Sequence, residues 1–375
     1  MPVDGAPLAR LGFLTIGSFD PDRPGAGHEE TLRVIERGEA LGLDSAWLRH
    51  RHLQHGISSP VAVLAAASQR TSRIELGTAV TPIGAENPFR LAEDLGTVDV
   101  LLGGRLHPGF SAGTPMNYDL YRDAIHPDTA EHEDLGTDRL LRFRDLVRGD
   151  EVTSTAERRG IEEFARTVQP HSPGLVDRLW YGAGSTRSAV WAAENGFHLL
   201  TSSVTRSEVG TDFAANQRAQ IDAYKEAHPD GEAARVSQGL VVIPTDTATP
   251  EQEARYRAYA ESRSGRVGVP IGPAGMLFAA DLVGTSAEIA DRLRADVGYQ
   301  AVTEVAFALP FDLEPADYAQ IVTDLAEHLG PELGWSPRSV AAAGGPGRGD
   351  DGHAAPEHDV GPDDDLATVP HWPLG

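Results

Sequence analysis

Two rhythms alternate along the chain. Short runs rich in β-branched and aromatic residues are followed by longer stretches with apolar residues at helical spacing. The clearest case lies in residues 73–113. The apolar run 74–80 predicts a strand. Asn87 can cap the helix after it, and Pro88 suits its first position. Phe89, Ala92, Leu95 and Val98 then recur at helical spacing, and Gly103 with Gly104 stops the pattern. A second strand is predicted over 105–110. This strand–helix–strand unit implies parallel strands and a right-handed crossover.

The same alternation extends in both directions. Residues 11–17 and 45–49 predict the first two strands. A Pro/Gly-rich loop over 20–27, then helices over 29–41 and 60–70, connect them to the central unit. Beyond Gly113 comes a long polar segment, 114–134, of the length that marks a lid or insertion. A helix is predicted over 136–148, strand five over 178–182 and a helix over 186–195. Strand six comes next over 197–202, with a helix over 211–228. Strand seven is placed at 239–245, a helix at 250–262 and a second insertion at 263–278. The last elements are a helix over 286–297, strand eight over 304–309 and a closing helix over 315–329. Eight strands alternating with helices predict an α/β fold, a (β/α)8 TIM barrel with insertions; a doubly wound sheet satisfies the count as well. The barrel domain is assigned to 1–334. Residues 335–375 are rich in Gly, Pro and Asp, with seven acidic and two basic residues. They are read as a disordered tail whose removal from Gly344 onward should leave the thermal midpoint unchanged.

Composition narrows the function. The 375 residues include no cysteine, which excludes disulfides, thiolate metal sites and a cysteine nucleophile. A net charge of −24 argues against nucleic acid and anionic membranes as partners. Lys225 is the sole lysine, so most lysine chemistry is excluded. No apolar run approaches a membrane span and residues 1–10 have no signal-peptide core, so a cytoplasmic protein is expected.

In a barrel the strand C-termini build the site, and three places there carry candidate chemistry. The turn 182–188, GAGSTRS, comes after strand five and opens a helix, so it offers free N–H groups, a positive dipole and the hydroxyls of Ser185, Thr186 and Ser188. It is no dinucleotide fingerprint, because Arg187 stands where the third glycine belongs and no acid comes after the next strand. It reads as a phosphate cradle or as an ordinary strand–helix turn. The second place is the loop after strand two, His50-Arg51-His52-Leu53-Gln54-His55. Arg51 can stabilise an anion, and His52 can exchange a proton near neutral pH. The His-x-His spacing also fits a metal hydrolase, but further ligands at later strand ends are missing, so no metal residue is assigned. Thirdly, Thr78, Ala79, Val80, Phe110, Ser111 and Ala112 are mostly small. They would let a planar ring lie against the backbone, and they equally suit barrel packing.

Three pieces, RIELGTAV, NPFRLAEDLGTVDVLLGGRL and GFSAG, resemble the bacterial luciferase-like flavin-dependent monooxygenase family, with the likeness running from about residue 11 to 333. The family closes the last piece with a Gly-x-x-Arg-Gly turn, whereas Ala112 stands at the Arg position here. The stretch WYGAGSTRSAVWAAENGFHLL resembles the family's flavin-phosphate turn. The resemblance implies the barrel and the phosphate on Gly184, Ser185 and Ser188. It also implies a flavin ring beside Thr78, Ala79, Val80, Ser111 and Ala112, with a cis link between Ala79 and Val80. The family has paired histidines after strand two; Arg51 replaces the first, so Arg51 and His52 are the implied catalytic pair. The implied activity is oxygenation of a small organic substrate by reduced FMN and O2. Alternatives are an F420-dependent dehydrogenase of the same family and a flavin-binding protein without turnover. A homodimer is expected. Because no segment supplies a dinucleotide fingerprint, reduced flavin is expected from a separate flavin reductase.

Overall fold

The computed structural model describes residues 7–337. Eight parallel strands succeed one another in chain order. They are β1 (Arg10–Thr15), β2 (Ser45–Leu48), β3 (Glu75–Thr78, resumed at Thr81–Pro82) and β4 (Leu106–His107 and Gly109–Ser111). β5 (Trp180–Gly182), β6 (His198–Thr201), β7 (Val236–Gln238) and β8 (Glu304–Ala308) complete the set. Pro108 cannot donate to the ladder, and it divides β4. Each strand pairs with its sequence neighbour: β1 with β2, β2 with β3, both pieces of β3 with the two pieces of β4, and onward to β8, which pairs with β1 through Leu11↔Val305 and Phe13↔Phe307. The sheet therefore closes on itself, and the expected (β/α)8 barrel is the fold.

The helices are α1 (Pro24–Ala40), α2 (Pro60–Ser68), α3 (Pro88–Leu102), α4 (Arg122–Ile125) and α5 (Thr137–Arg148), then α6 (Thr186–Glu194), α7 (Phe213–Ala227), α8 (Pro250–Ser264), α9 (Ser286–Ala295) and α10 (Pro315–Asp324). In α3 the expected signals act as read. Asn87 Oδ1 accepts from the N–H groups of Phe89 and Arg90 at 3.0 and 3.1 Å, and Gly103 ends the helix at φ 62°. Phe89, expected on the buried face, is exposed; Leu91, Leu95, Val98 and Leu102 carry that face.

Of the three buried clusters among the described residues, two build the barrel. The larger lies between strands and helices. The smaller joins Trp47, Trp180, Leu200 and Ala306, from β2, β5, β6 and β8. Residues from strands so far apart in the sheet meet only inside the barrel. Gly77 leaves room for it, since a Cβ there would lie 2.5 Å from the Trp47 ring. Below this layer the N-terminal end is closed by charges. Arg235 pairs with Glu304 at 3.0 Å and stacks on Trp180 at 4.8 Å, and His107 Nε2 lies 3.3 Å from Glu75. That end is a plug, which leaves the opposite rim for chemistry.

Three expectations are corrected. Strand seven is Val236–Gln238, not 239–245; the apolar run Val242–Pro244 instead pairs outside the barrel sheet with Leu282–Gly284. The buried polar pair Ser237 and Gln238 hides the strand, because hydropathy marks the wrong piece. α1 begins at Pro24, inside the expected loop, since proline at the first helical position starts rather than breaks a helix. The tail does not begin at Trp335. The indole is 3% exposed, packs in the main core and donates its N–H to Asp44 Oδ2 at 2.8 Å. One large aromatic ring fastens the chain past the expected boundary. The tail expectation from residue 338 onward lies outside the described residues.

Candidate functional site

The rim arc from β2 to β5 brings the sequence-predicted residues together. At the end of β3 the Thr78 hydroxyl accepts from Gly109 N–H at 2.9 Å and donates to Gly109 O at 2.8 Å. Thr78 is 1% exposed, so its hydroxyl staples β3 to β4 and is not free for a ligand. The next peptide, Ala79–Val80, is cis. Ala79 and Val80 lie on the Trp47–Trp180–Leu200–Ala306 cluster and roof the barrel interior. Val80 also meets β5: a Cβ on Gly182 would fall 2.8 Å from Val80 Cγ1, so glycine is required for this approach. Ser111 ends β4 opposite Pro82, and Ala112 succeeds it at the rim.

The turn after β5 opens α6 as expected, with Ser185 as N-cap. Ser185 Oγ accepts from Ser188 N–H at 3.2 Å, and Ser188 Oγ accepts from Ser185 N–H at 3.1 Å. These two hydroxyls are therefore committed to each other in a capping box. The remaining donors carry an unforeseen partner. Glu208 Oε2 accepts from both the N–H and the Oγ1–H of Thr186, each at 2.7 Å. Glu208 is held there by buried Asn216, whose Oδ1 accepts from the N–H groups of Glu208 and Val209 at 2.7 and 2.8 Å. Beside it Arg206 N–H donates to Gly184 O at 3.0 Å. A carboxylate thus stands at the positive end of the α6 dipole, where an anionic ligand group would bind. Arg187, the basic residue of this turn, is exposed to solvent.

After β2 the chain builds a compact titratable group. His50 and His52 meet edge to face with ring centroids 4.7 Å apart, and Tyr121 packs against His52 with centroids 4.7 Å apart. His50 Nδ1 lies 3.9 Å from Glu86. Ligand atoms of His50, His52 and Glu86 all lie within 4.8 Å of one another. Burial, then the nearby His52, lowers the His50 imidazole to about 4. His52 is lowered by burial and by the Arg51 charge. Burial, aided by Asp94, raises the Glu86 carboxyl. At neutral pH both imidazoles are uncharged bases next to a carboxyl that keeps its proton more readily than usual. The same three groups have the composition of a divalent-cation site, but the Arg51 guanidinium bears on both imidazoles and opposes a cation there. Arg51 Nη1 donates to His50 O at 3.1 Å, while its Nε is buried without a partner among the described residues.

Sequence reading assigns no role to His50, Glu86, Tyr121 or Glu208. Tyr121 belongs to the polar segment 114–134, which contains Tyr118–Leu120 as a short 3-10 turn and then α4. It packs through Tyr118 and Tyr121 on Ala85. The signal for Glu86 is its place one residue before the Asn87 cap. Nothing local marks Glu208, whose partner lies 22 residues away.

Comparison with known proteins gives this arrangement a family. Residues 10–303 match the profile of the luciferase-like monooxygenases. The F420-dependent glucose-6-phosphate dehydrogenase of Amycolatopsis mediterranei is 26% identical over 192 residues, 50% of this chain and 57% of the relative. The 4-hydroxyprotoasukamycin monooxygenase of Streptomyces nodosus subsp. asukaensis is 33% identical over 131 residues, 34% of each chain. Each of these matches spans less than two thirds of the relative. Among solved structures, the oxygenating constituent of 3,6-diketocamphane monooxygenase from the CAM plasmid of Pseudomonas putida, in complex with FMN, shares the fold. Its TM-score is 0.59 at 14% identity, covering 87% of this chain and 99% of that one. With a closed eight-stranded barrel and a profile match over most of its length, the chain belongs to the luciferase-like monooxygenase family.

Proposed function

We propose that this protein is an FMN-dependent monooxygenase that uses reduced FMN and O2 to oxygenate a small organic substrate. The observation that supports it is one juxtaposition. A single arc of the rim carries a helix start that already takes an oxyanion, a ledge of apolar residues at 79, 80 and 112, and a guanidinium with no carboxylate partner among the described residues. These residues fit a flavin. Thr186, Gly184 and the α6 N-terminus would take the phosphate, with Ser185 and Ser188 shaping the turn. Ala79, Val80, Ser111 and Ala112 would bear the ring. When bound, reduced flavin supplies the electrons that activate O2. Arg51 would offset negative charge on the ring. His52, neutral at pH 7, would accept or pass a proton under cover of Tyr121. Reduced flavin would come from a separate reductase. The second reading, an F420-dependent dehydrogenase, is favoured by the Amycolatopsis relative, whose name carries that cofactor.

The test is titration of the full chain with oxidised and reduced FMN and with F420, and then exposure to O2 with candidate substrates. Tight reduced-FMN binding and substrate-dependent O2 consumption are expected. Binding of F420 alone would transfer the site to the second reading, and binding of neither would end both.

Glu208 makes a sharper expectation. FMN must displace or share the Thr186 donors with its carboxylate. Glu208→Gln removes that charge and should tighten FMN by roughly tenfold, the scale of a charge-assisted hydrogen bond. Riboflavin, which lacks the phosphate, should bind both proteins alike. Equal FMN dissociation constants for the two proteins would take the phosphate away from this turn.

A further inference from the structure

Side-chain alternation along β2 separates two environments. Ser45 and Trp47 face the barrel interior, where Trp47 meets Trp180. The opposite face carries His50 into a cavity lined by Pro60 and Val61 of α2 and by Leu91 and Asp94 of α3. Arg49 continues the interior row, one step above Trp47, at the barrel mouth. Its guanidinium lies 5.0 Å over the Phe311 ring, and Nη2 donates to Gln54 Oε1 at 3.2 Å. Nη1 is buried and has no partner among the described residues. Arg51, two residues on, donates to a backbone carbonyl and leaves its Nε likewise buried without one. Among the described residues neither guanidinium has a carboxylate partner.

The surroundings continue the pattern. Phe311 is flanked by a second guanidinium, Arg263, at 5.7 Å, which is paired with Asp281 at 2.6 Å. Arg266 stacks on Phe278 at 4.4 Å. Burial, then the like charge of Arg51, lowers Arg49 to about 10, which still leaves it cationic at neutral pH. A buried cation without a counter-ion is costly. Here two partly buried guanidiniums stand side by side in a chain of net charge −24, each with a buried nitrogen that has no partner among the described residues.

We propose that Arg49 binds an oxyanion of the substrate, so that the substrate class is a small organic compound bearing a carboxylate or equivalent group. The planar guanidinium suits two-point contact with such a group. This rests on the monooxygenase reading, which makes the rim a substrate site. The same anion chemistry has a second source, the ring of reduced flavin, and the experiment separates the two.

Benzoate and its neutral counterpart benzyl alcohol are titrated into the purified full chain without flavin, with tryptophan fluorescence and calorimetry as readouts. Benzoate should bind at least roughly tenfold tighter. Arg49→Gln should weaken benzoate by about tenfold or more, Arg49→Lys by less, and neither should change benzyl alcohol. Matching thermal midpoints establish that the variants are folded. Equal binding of the two probes, no measurable binding of benzoate, or an unchanged benzoate constant in Arg49→Gln overturns the proposal. In a parallel arm reduced FMN is titrated into the same proteins anaerobically. An unchanged FMN constant in Arg49→Gln assigns the arginine to substrate; loss of FMN with benzoate unaffected assigns it to the cofactor and overturns the proposal. Discrimination between the probes in a protein that binds no flavin would sink the flavin reading and leave the anion site standing.

Discussion

His52→Ala is expected to slow turnover by about 10²–10⁴-fold, the range of a positioned acid or base, while FMN affinity stays near the parent value. The His52 ring packs against both His50 and Tyr121, which set its orientation before a ligand arrives. Its Nε2 is buried with no partner among the described residues, which leaves one nitrogen for a ligand. Burial and Arg51 keep the imidazole neutral at pH 7, so it begins the cycle as a base. The alanine variant removes that base and opens a gap next to Tyr121. Added imidazole separates the two effects: it should restore part of the rate if proton transfer is what was lost, and none of it if packing was. Glu86→Gln should cause a smaller loss, since Glu86 acts through the histidine pair. Turnover equal to the parent in His52→Ala would remove the loop from the chemistry.

How much of the molecule is legible in the sequence depends on how local each signal is. The strand–helix–strand unit around residues 74–110 is readable because Asn87, Pro88 and Gly103 act on their immediate neighbours. Ser185 is readable at the head of α6 for the same reason. Strand seven is misplaced because Ser237 and Gln238 are polar yet buried; Gln238 donates to Gln217 across the packing layer, a partner hydropathy cannot foresee. Trp335 is hidden by the Gly- and Asp-rich composition of the residues after it, which masks one anchoring ring. The site shows the same division. Arg51 and His52 announce themselves as a motif, but the groups that set their chemistry come from elsewhere. Glu86 lies beyond β3, Tyr121 sits in the insertion after β4, and Arg49 has meaning only once Trp47 is known to point inward. Glu208 is the extreme case, a carboxylate from a different loop placed where an anion was expected to come from outside.

Acidification should unfold the protein over an unusually high pH window, and the histidines set the sign. Folding lowers His50 and His198 from 6.5 to about 4, in both cases chiefly by burial, with His52 adding to the first and Arg235 to the second. His107 is pushed well below its ordinary value by burial and the surrounding arginines. A group whose folded value is depressed in this way favours the neutral folded form. Its contribution is fully present above 6.5 and is lost as pH falls from 6.5 towards 4, because the unfolded chain takes up the proton first. For His50 and His198 the loss is on the order of 3 kcal/mol each, against a total stability of about 5–15 kcal/mol for a typical domain. Glu304 and Glu86 act in the opposite direction: burial raises both carboxyls, so protonation relieves a cost as the pH drops. Single variants isolate the histidine share. Urea unfolding at about pH 7 and about pH 4.5 should show a steep loss for the parent chain, and a visibly shallower one for His198→Asn and for His50→Gln. Both substitutions keep a polar group of similar size but cannot take up a proton. If either variant loses stability with acid as steeply as the parent does, that histidine is not buried in its neutral form, and the packing described around it is wrong.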